Sequence, residues 1–129
     1  RRILSGTSTP LLWGHCVYSL NPAGNLACLD AGTGQQLWET GQVTREARGS
    51  SACMHMTVKG SSVFIYNEQG ELILAQLSPQ GYKEISRTAL IEPSYSFGGK
   101  KLAWAAPSFA NRHVYARTEK EIVCAALGK

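Results

Sequence analysis

Three histidines, His15, His55 and His113, are the side chains of this sequence best matched to proton transfer near neutral pH, and four cysteines, Cys16, Cys28, Cys53 and Cys124, are its candidate nucleophiles and soft-metal ligands. A general base needs its nucleophile or substrate within hydrogen-bond reach, and no such partner stands at a fixed spacing from any of the three histidines. His15 and His113 fall in or beside the same tight turn of a repeat, which reads as a surface turn position. The cysteines are 12, 25 and 71 positions apart, with no Cys-x-x-Cys pair and no zinc-like grouping with histidine. Each sits in an apolar run, where a free cysteine behaves as a small buried hydrophobe. Two disulfides are equally compatible with their number, so the redox state stays open. Ser50-Ser51 and Ser61-Ser62 lack the Gly-x-Ser-x-Gly setting of a nucleophile elbow. Gly98-Gly99-Lys100-Lys101 lacks phosphate-loop spacing and is followed by no helix whose N-terminus could hold an anion. Of nine carboxylates, Asp30 belongs to a turn, and Glu68, Glu71, Glu119 and Glu121 lie in or beside short turns at corresponding places, the pattern of solvated turn residues rather than of an acid and base pair. No catalytic, cofactor-binding or metal-ligating residue is assigned.

The elements that position these residues repeat. Val17-Tyr18-Ser19-Leu20, Val63-Phe64-Ile65-Tyr66 and Val114-Tyr115-Ala116-Arg117 are equivalent β-prone runs whose starts lie 46 and 51 residues apart. Three residues before each valine stands a turn former, Gly14, Gly60 or Asn111. After it, Asn21-Pro22-Ala23-Gly24-Asn25 and Asn67-Glu68-Gln69-Gly70-Glu71 match in length, and the third copy is one residue shorter. Cys28 and Cys124 occupy equivalent places. The copies predict strands over 9–13, 16–20, 26–30 and 35–40, then 53–59, 62–67, 72–77 and 82–90, then 105–110, 113–118 and 121–127. Nowhere does apolar spacing of three and four demand a helix, so the class is all-β. Four short strands in a period of 40 to 50 residues describe the blade of a β-propeller, because each small sheet buries its faces only by stacking on neighbours. A β-sandwich would explain the turns but not the position-by-position match. The expectation is a partial propeller of about three four-stranded antiparallel blades in one domain spanning 1–129: blade 1 near 8–40, blade 2 near 51–91 and blade 3 near 104–129, the last lacking its outer strand. Residues 1–4 are long enough to be an outermost strand.

Composition narrows the classes further. Hydrophobic residues make up 43% and charged residues 17%, with no window near the roughly 20 apolar residues of a spanning helix. The net charge of +4 is spread in pairs such as Arg1-Arg2 and Lys100-Lys101, unlike a clustered nucleic-acid footprint. The chain begins with Arg1 and shows no leader, so its natural start and targeting signal are expected upstream.

The stretch Cys28-Leu29-Asp30-Ala31-Gly32-Thr33-Gly34-Gln35-Gln36-Leu37-Trp38 resembles the docking motif of quinoprotein-like (pyrroloquinoline quinone repeat) propellers, Ala-x-Asp-x-x-Thr-Gly-Lys-x-x-Trp. Cysteine replaces the alanine and glutamine the lysine. The resemblance implies that Asp30, Thr33 and Gly34 shape the turn before the outermost strand while Trp38 packs against the adjacent blade. The second copy departs from the motif, with Gln76 for the aspartate and Ile85 near the tryptophan position. The family holds both cofactor-free lipoproteins similar to the outer-membrane assembly propeller, which bind proteins, and dehydrogenases carrying pyrroloquinoline quinone and calcium. The first kind is favoured here, since no adjacent cysteines occur. The resemblance then implies a binding or scaffold module of the periplasm or cell envelope, without cofactor in this piece, with a protein partner and with missing blades of a parent chain or self-association completing it. A fragment of a quinone-dependent oxidoreductase is the alternative. Links between blades and between second and third strands should share one face, making Arg45, Arg48, Tyr95, Phe97 and Lys101 the expected partner surface. The opposite links, Gly14-His15 and Gly60-Ser61 among them, are expected to be too short to form a pocket.

Overall fold

A computed structural model describes residues 9–21, 23–44, 53–92, 95–97, 100–102, 107–118 and 120–127, with 95–97 and 100–102 described by backbone alone. The first sheet contains β1 (Leu11–Trp13), β2 (Cys16–Leu20), β3 (Leu26–Asp30) and β4 (Gln36–Thr40), hydrogen-bonded in chain order and antiparallel throughout. The second repeats this plan with β5 (Met54–Lys59), β6 (Ser62–Asn67), β7 (Glu71–Ser78) and β8 (Gly81–Ala89). Between the second and third sheets, β9 (Tyr95–Phe97) pairs with β10 (Lys100–Leu102). The third sheet contains β11 (Ser108–Ala110), β12 (His113–Arg117) and β13 (Ile122–Ala126). The fold is an all-β partial propeller. Residues 1–4, expected as an outermost strand, lie outside the described residues.

The β9–β10 hairpin is an element that the strand pattern missed. Phe97 pairs with Lys100, and strands of three residues are too short for period-two alternation to show.

Packing follows the alternation of each strand. Tyr18, Leu20, Leu26 and Cys28 on the first sheet meet Met54, Val63, Ile65 and Ile73 on the second in one buried cluster. Phe64, Tyr66 and Leu72, on the opposite side of the second sheet, meet Val114 and Ala116 of the third. The second sheet is therefore apolar on both faces, and each of its buried aliphatic side chains contributes about 1.5–3 kcal/mol. Register keeps a cross-strand pair in the same place in all three sheets: Tyr18 opposite Cys28, Phe64 opposite Leu74, Tyr115 opposite Cys124. Sheets 2 and 3 cover the first two pairs, whereas Tyr115 is 38% exposed and Cys124 is exposed.

The links between second and third strands are built on one side-chain device. Asn21 Oδ1 accepts hydrogen bonds from the backbone N–H groups of Ala23 (3.0 Å) and Asn25 (3.1 Å). Asn67 Oδ1 does the same for Gln69 (3.0 Å) and Glu71 (3.1 Å). In the shorter third copy Thr118 Oγ1 accepts from Lys120 and Glu121. Such Asx and hydroxyl turns replace backbone partners that a tight reversal loses. Gly70 ends the second of these turns at φ +75°, where a Cβ would lie 2.1 Å from the Ile91 carbonyl oxygen, so no side chain is admitted there.

Candidate functional site

The residues singled out by the family motif form a hairpin end and a tie between sheets. Asp30 Oδ1 accepts from Gly32 N (2.8 Å) and Thr33 N (3.0 Å), and these backbone bonds hold its carboxyl below the ordinary aspartate range. Thr33 Oγ1 accepts from Gln35 N (3.2 Å), and Gly34 closes the turn at φ +75°. Trp38 is half-buried, with its ring centroid 6.1 Å from that of Tyr18, and its indole N–H donates to the Ser78 carbonyl of the second sheet at 2.7 Å. The indole thus fills the outer part of the seam between sheets 1 and 2.

In the second sheet the register moves the equivalent of Trp38 by one residue from the position expected. Trp38 pairs with Cys28 and Ser86 pairs with Leu74, each beside an irregularity that leaves the preceding residue unpaired. Ile85 is that preceding residue and is 49% exposed, as Leu37 is at 41%. Ser86, not Ile85, occupies the tryptophan place; a bulge cannot be read from apolar alternation alone.

Three side chains tie the blade ends together. Arg87 pairs with Glu71 (3.0 Å) and Glu84 (2.9 Å), and also donates to the Gln42 carbonyl. Asn67, 1% exposed, donates to the Val43 carbonyl at 2.8 Å, and Thr44 donates to the Gly24 carbonyl at 2.6 Å. Glu39 accepts from Asn25 and Asn21, which pull its carboxyl below the usual range. Bonding to Arg87 does the same for Glu84. Burial pushes the Cys28 thiol up to about 12 and the Tyr66 phenol up to about 12.

Of the expected partner surface, Arg45 and Arg48 lie outside the described residues. The backbones of Tyr95, Phe97 and Lys101 come together in the β9–β10 hairpin. His15 lies exposed in the β1–β2 turn, His113 bonds the Asn111 carbonyl oxygen at 2.7 Å, and His55 Nε2 lies 3.8 Å from Cys53 Sγ. No three His, Cys, Asp or Glu side chains converge on a metal-holding arrangement among the described residues.

The expectation that the short-turn side forms no pocket is corrected. Cavities of about 200 and 330 Å³ open there between sheets 2 and 3, and one of about 330 Å³ between sheets 1 and 2. They lie in the seams between neighbouring blades, and the short link Gly14-His15 itself lines the one between sheets 1 and 2, so a link too short to enclose a pocket alone still contributes to one shared between blades.

These antiparallel sheets of three and four strands define the class as β-propeller, and solved propellers share the fold. No protein-family profile and no curated protein matches the chain. BamB from Moraxella catarrhalis superposes with a TM-score of 0.56 at 18% identity, over 94% of this chain and 32% of that one. Quinohemoprotein alcohol dehydrogenase from Comamonas testosteroni does so with a TM-score of 0.53 at 18% identity, over 89% of this chain and 17% of that one. The chain thus spans about a third and a sixth of the lengths of these two neighbours.

Proposed function

We propose that the chain is a non-catalytic binding or scaffold part of a quinoprotein-like propeller, serving protein partners in the cell envelope through the links that carry Arg45, Arg48, Tyr95, Phe97 and Lys101. The supporting observation is the use made of its carboxylates. Asp30, Glu39 and Glu84 are held ionised by hydrogen bonds from turns and side chains of their own sheets, with pKa values moved away from neutrality, whereas an acid–base catalyst works best with a pKa near the operating pH. Their chemistry is that of fixed acceptors in a frame. Similarity in fold to BamB supports the envelope location and the protein partner. Similarity of the same degree to a quinohemoprotein dehydrogenase supports the second reading, a fragment of a quinone-dependent oxidoreductase whose quinone and calcium ligands come from other blades. Photo-crosslinking from position 45 or 95 in cells, together with dye-linked alcohol oxidation by the purified protein supplied with pyrroloquinoline quinone and calcium, separates the two. Discrete protein adducts without quinone-dependent dye reduction are expected. Quinone-dependent turnover replaces the first reading with the second.

A further inference from the structure

The seam between sheets 2 and 3 lacks the filler that the seam between sheets 1 and 2 possesses. Trp38 packs beside Tyr18 in the first, although a cavity of about 330 Å³ remains there near the Gly14-His15 turn; Ser86 holds the equivalent register in the second and is exposed. Where an indole would lie, a groove of about 330 Å³ opens over Phe64, Leu72 and Leu74, reaching Ala126 and Leu127 of the third sheet. It adjoins a second apolar compartment of about 200 Å³ with Val58, Phe109 and Arg112 in its wall, and Lys59, Phe64 and Leu127 line both. Phe64 and Phe109 stack with centroids 5.4 Å apart, forming an aromatic floor.

The charge at this groove has one sign. Lys59 Nζ stands 5.2 Å from the Phe64 ring centroid, and Arg112 lines the smaller compartment; among the described residues they are the only charged ones lining the two. Neither makes an ion pair among the described residues, in contrast to Arg87 with its two glutamates. Arg112 also sits at φ +62°, following Asn111 at +50°. A two-residue hairpin turn with both central residues in this region favours Asn-Gly. The third blade thus carries a long cation where glycine would be conformationally easier, and that cation borders the groove.

From the unfilled tryptophan position, the two joined apolar compartments and the unpaired cations, we infer that this groove binds an extended, acidic peptide segment whose aromatic side chain takes the place that Trp38 takes in the preceding seam. Two adjoining compartments suit the side chains at i and i+2 of an extended chain, which share one face, and flanking carboxylates complement Lys59 and Arg112. Desolvated cation–carboxylate pairing at a rim mainly sets selection between acidic and basic ligands. The site is on the side opposite the links named under the proposed function and stands or falls independently of that reading.

The test uses a fluorescein-labelled pentapeptide, Glu-Trp-Ser-Leu-Glu, titrated by anisotropy into the purified chain at low salt. Saturable binding is expected, weakened at least tenfold when both glutamates of the peptide become lysine or its tryptophan becomes alanine. Ser86→Trp fills the groove from within; it should abolish binding while raising the urea midpoint of unfolding. Arg112→Gly relieves the backbone and so should fold at least as stably as the parent, yet bind at least threefold more weakly. N-acetyltryptophan should compete only at tenfold or greater excess. No saturable binding below millimolar protein, binding indifferent to peptide charge, or undiminished binding by Ser86→Trp overturns the inference; N-acetyltryptophan binding as tightly as the pentapeptide overturns the assignment to a peptide.

Discussion

The Asx turns give a graded experiment, because one device recurs in three settings. Asn67→Ala removes two acceptor bonds to the N–H groups of Gln69 and Glu71 and two donor bonds, at 2.8 Å each, to the Val43 carbonyl and to Glu71 Oε1. Each such bond is worth about 0.5–1.5 kcal/mol net, and a buried acceptor left without a donor costs about 1–3 kcal/mol. Glu71 keeps Arg87 and the turn N–H groups gain access to water. The Val43 carbonyl, on a residue with 0% exposure, loses its asparagine donor. The expected loss is therefore about 3–4 kcal/mol. Asn21→Ala removes two turn bonds and one bond to exposed Glu39, but no blade-to-blade bond, for about 1–2 kcal/mol. Thr118→Ala removes only the two long hydroxyl bonds of the third turn, for about 0.5–1 kcal/mol. Urea unfolding followed by tryptophan fluorescence measures all three, provided the m-values agree. An Asn67→Ala loss within 1 kcal/mol of that of Thr118→Ala would show that the tie to Val43 adds nothing to stability.

Gly70→Ala must move the Ile91 backbone and adopt φ +75° with a Cβ, so a loss of about 3 kcal/mol or more in the same urea assay is expected; an unchanged midpoint refutes the close approach. Trp38→Phe keeps an aromatic ring in the seam but loses the 2.7 Å bond to the Ser78 carbonyl, for about 1–2 kcal/mol, and equal stability would show that bond to be of no consequence. Ellman's reagent should modify Cys124 rapidly in the native chain and Cys28 only on unfolding, since Cys124 is exposed while burial raises the Cys28 pKa to about 12. A fast phase surviving Cys124→Ser contradicts this. Because Glu39 and Glu84 have folded pKa values below the ordinary 4.5, the unfolded state binds more protons as acid is added. Their stabilisation is present above pH about 4.5 and disappears as pH falls through the depressed folded values. Glu84→Gln should flatten the loss of stability between pH 5 and 3, and an identical slope in the variant would remove Glu84 from the account.

Much of the fold was legible because a propeller blade writes itself as a repeat. The valine-aromatic runs lie in β2, β6 and β12, and the expected strands coincide with those formed to within a few residues. A strand buried on both faces reads as a continuous apolar run, as in β6, whose five residues from Val63 to Asn67 are all buried, whereas β12, with one open face, alternates. What stayed hidden depends on register or on space between elements. The irregularity between Leu74 and Ala75 shifts one residue outward and puts Ser86 in the tryptophan place, a displacement that no propensity scale encodes. The grooves lie between neighbouring sheets, where strand pattern says nothing. The third turn differs visibly in the sequence, with Asn111 where the other copies have Gly14 and Gly60 and Arg112 where they have His15 and Ser61, but the positive φ at Arg112 is a property of the folded turn.

One rule accounts for both the stability and the recognition chemistry of this chain. A blade face is completed only by what stacks on it, since an isolated four-stranded sheet leaves its apolar residues in water. The Tyr18 and Cys28 pair is sealed by sheet 2 and further by Trp38; the Phe64 and Leu74 pair is covered by sheet 3 but without an indole; the Tyr115 and Cys124 pair is open, beside Ile122 at 74% exposure. The three faces thus form a series, one covered by a sheet and an indole, one covered by a sheet alone and one uncovered, while the strand register beneath them stays constant. Ser86 stands where the first blade has a tryptophan, and Arg112 stands where the other blades have His15 and Ser61, in a turn that begins with Asn111 rather than glycine. On the inference drawn above, Ser86→Trp, which restores the repeat, and Arg112→Gly, which relieves a positive φ, should each stabilise the fold at the expense of recognition.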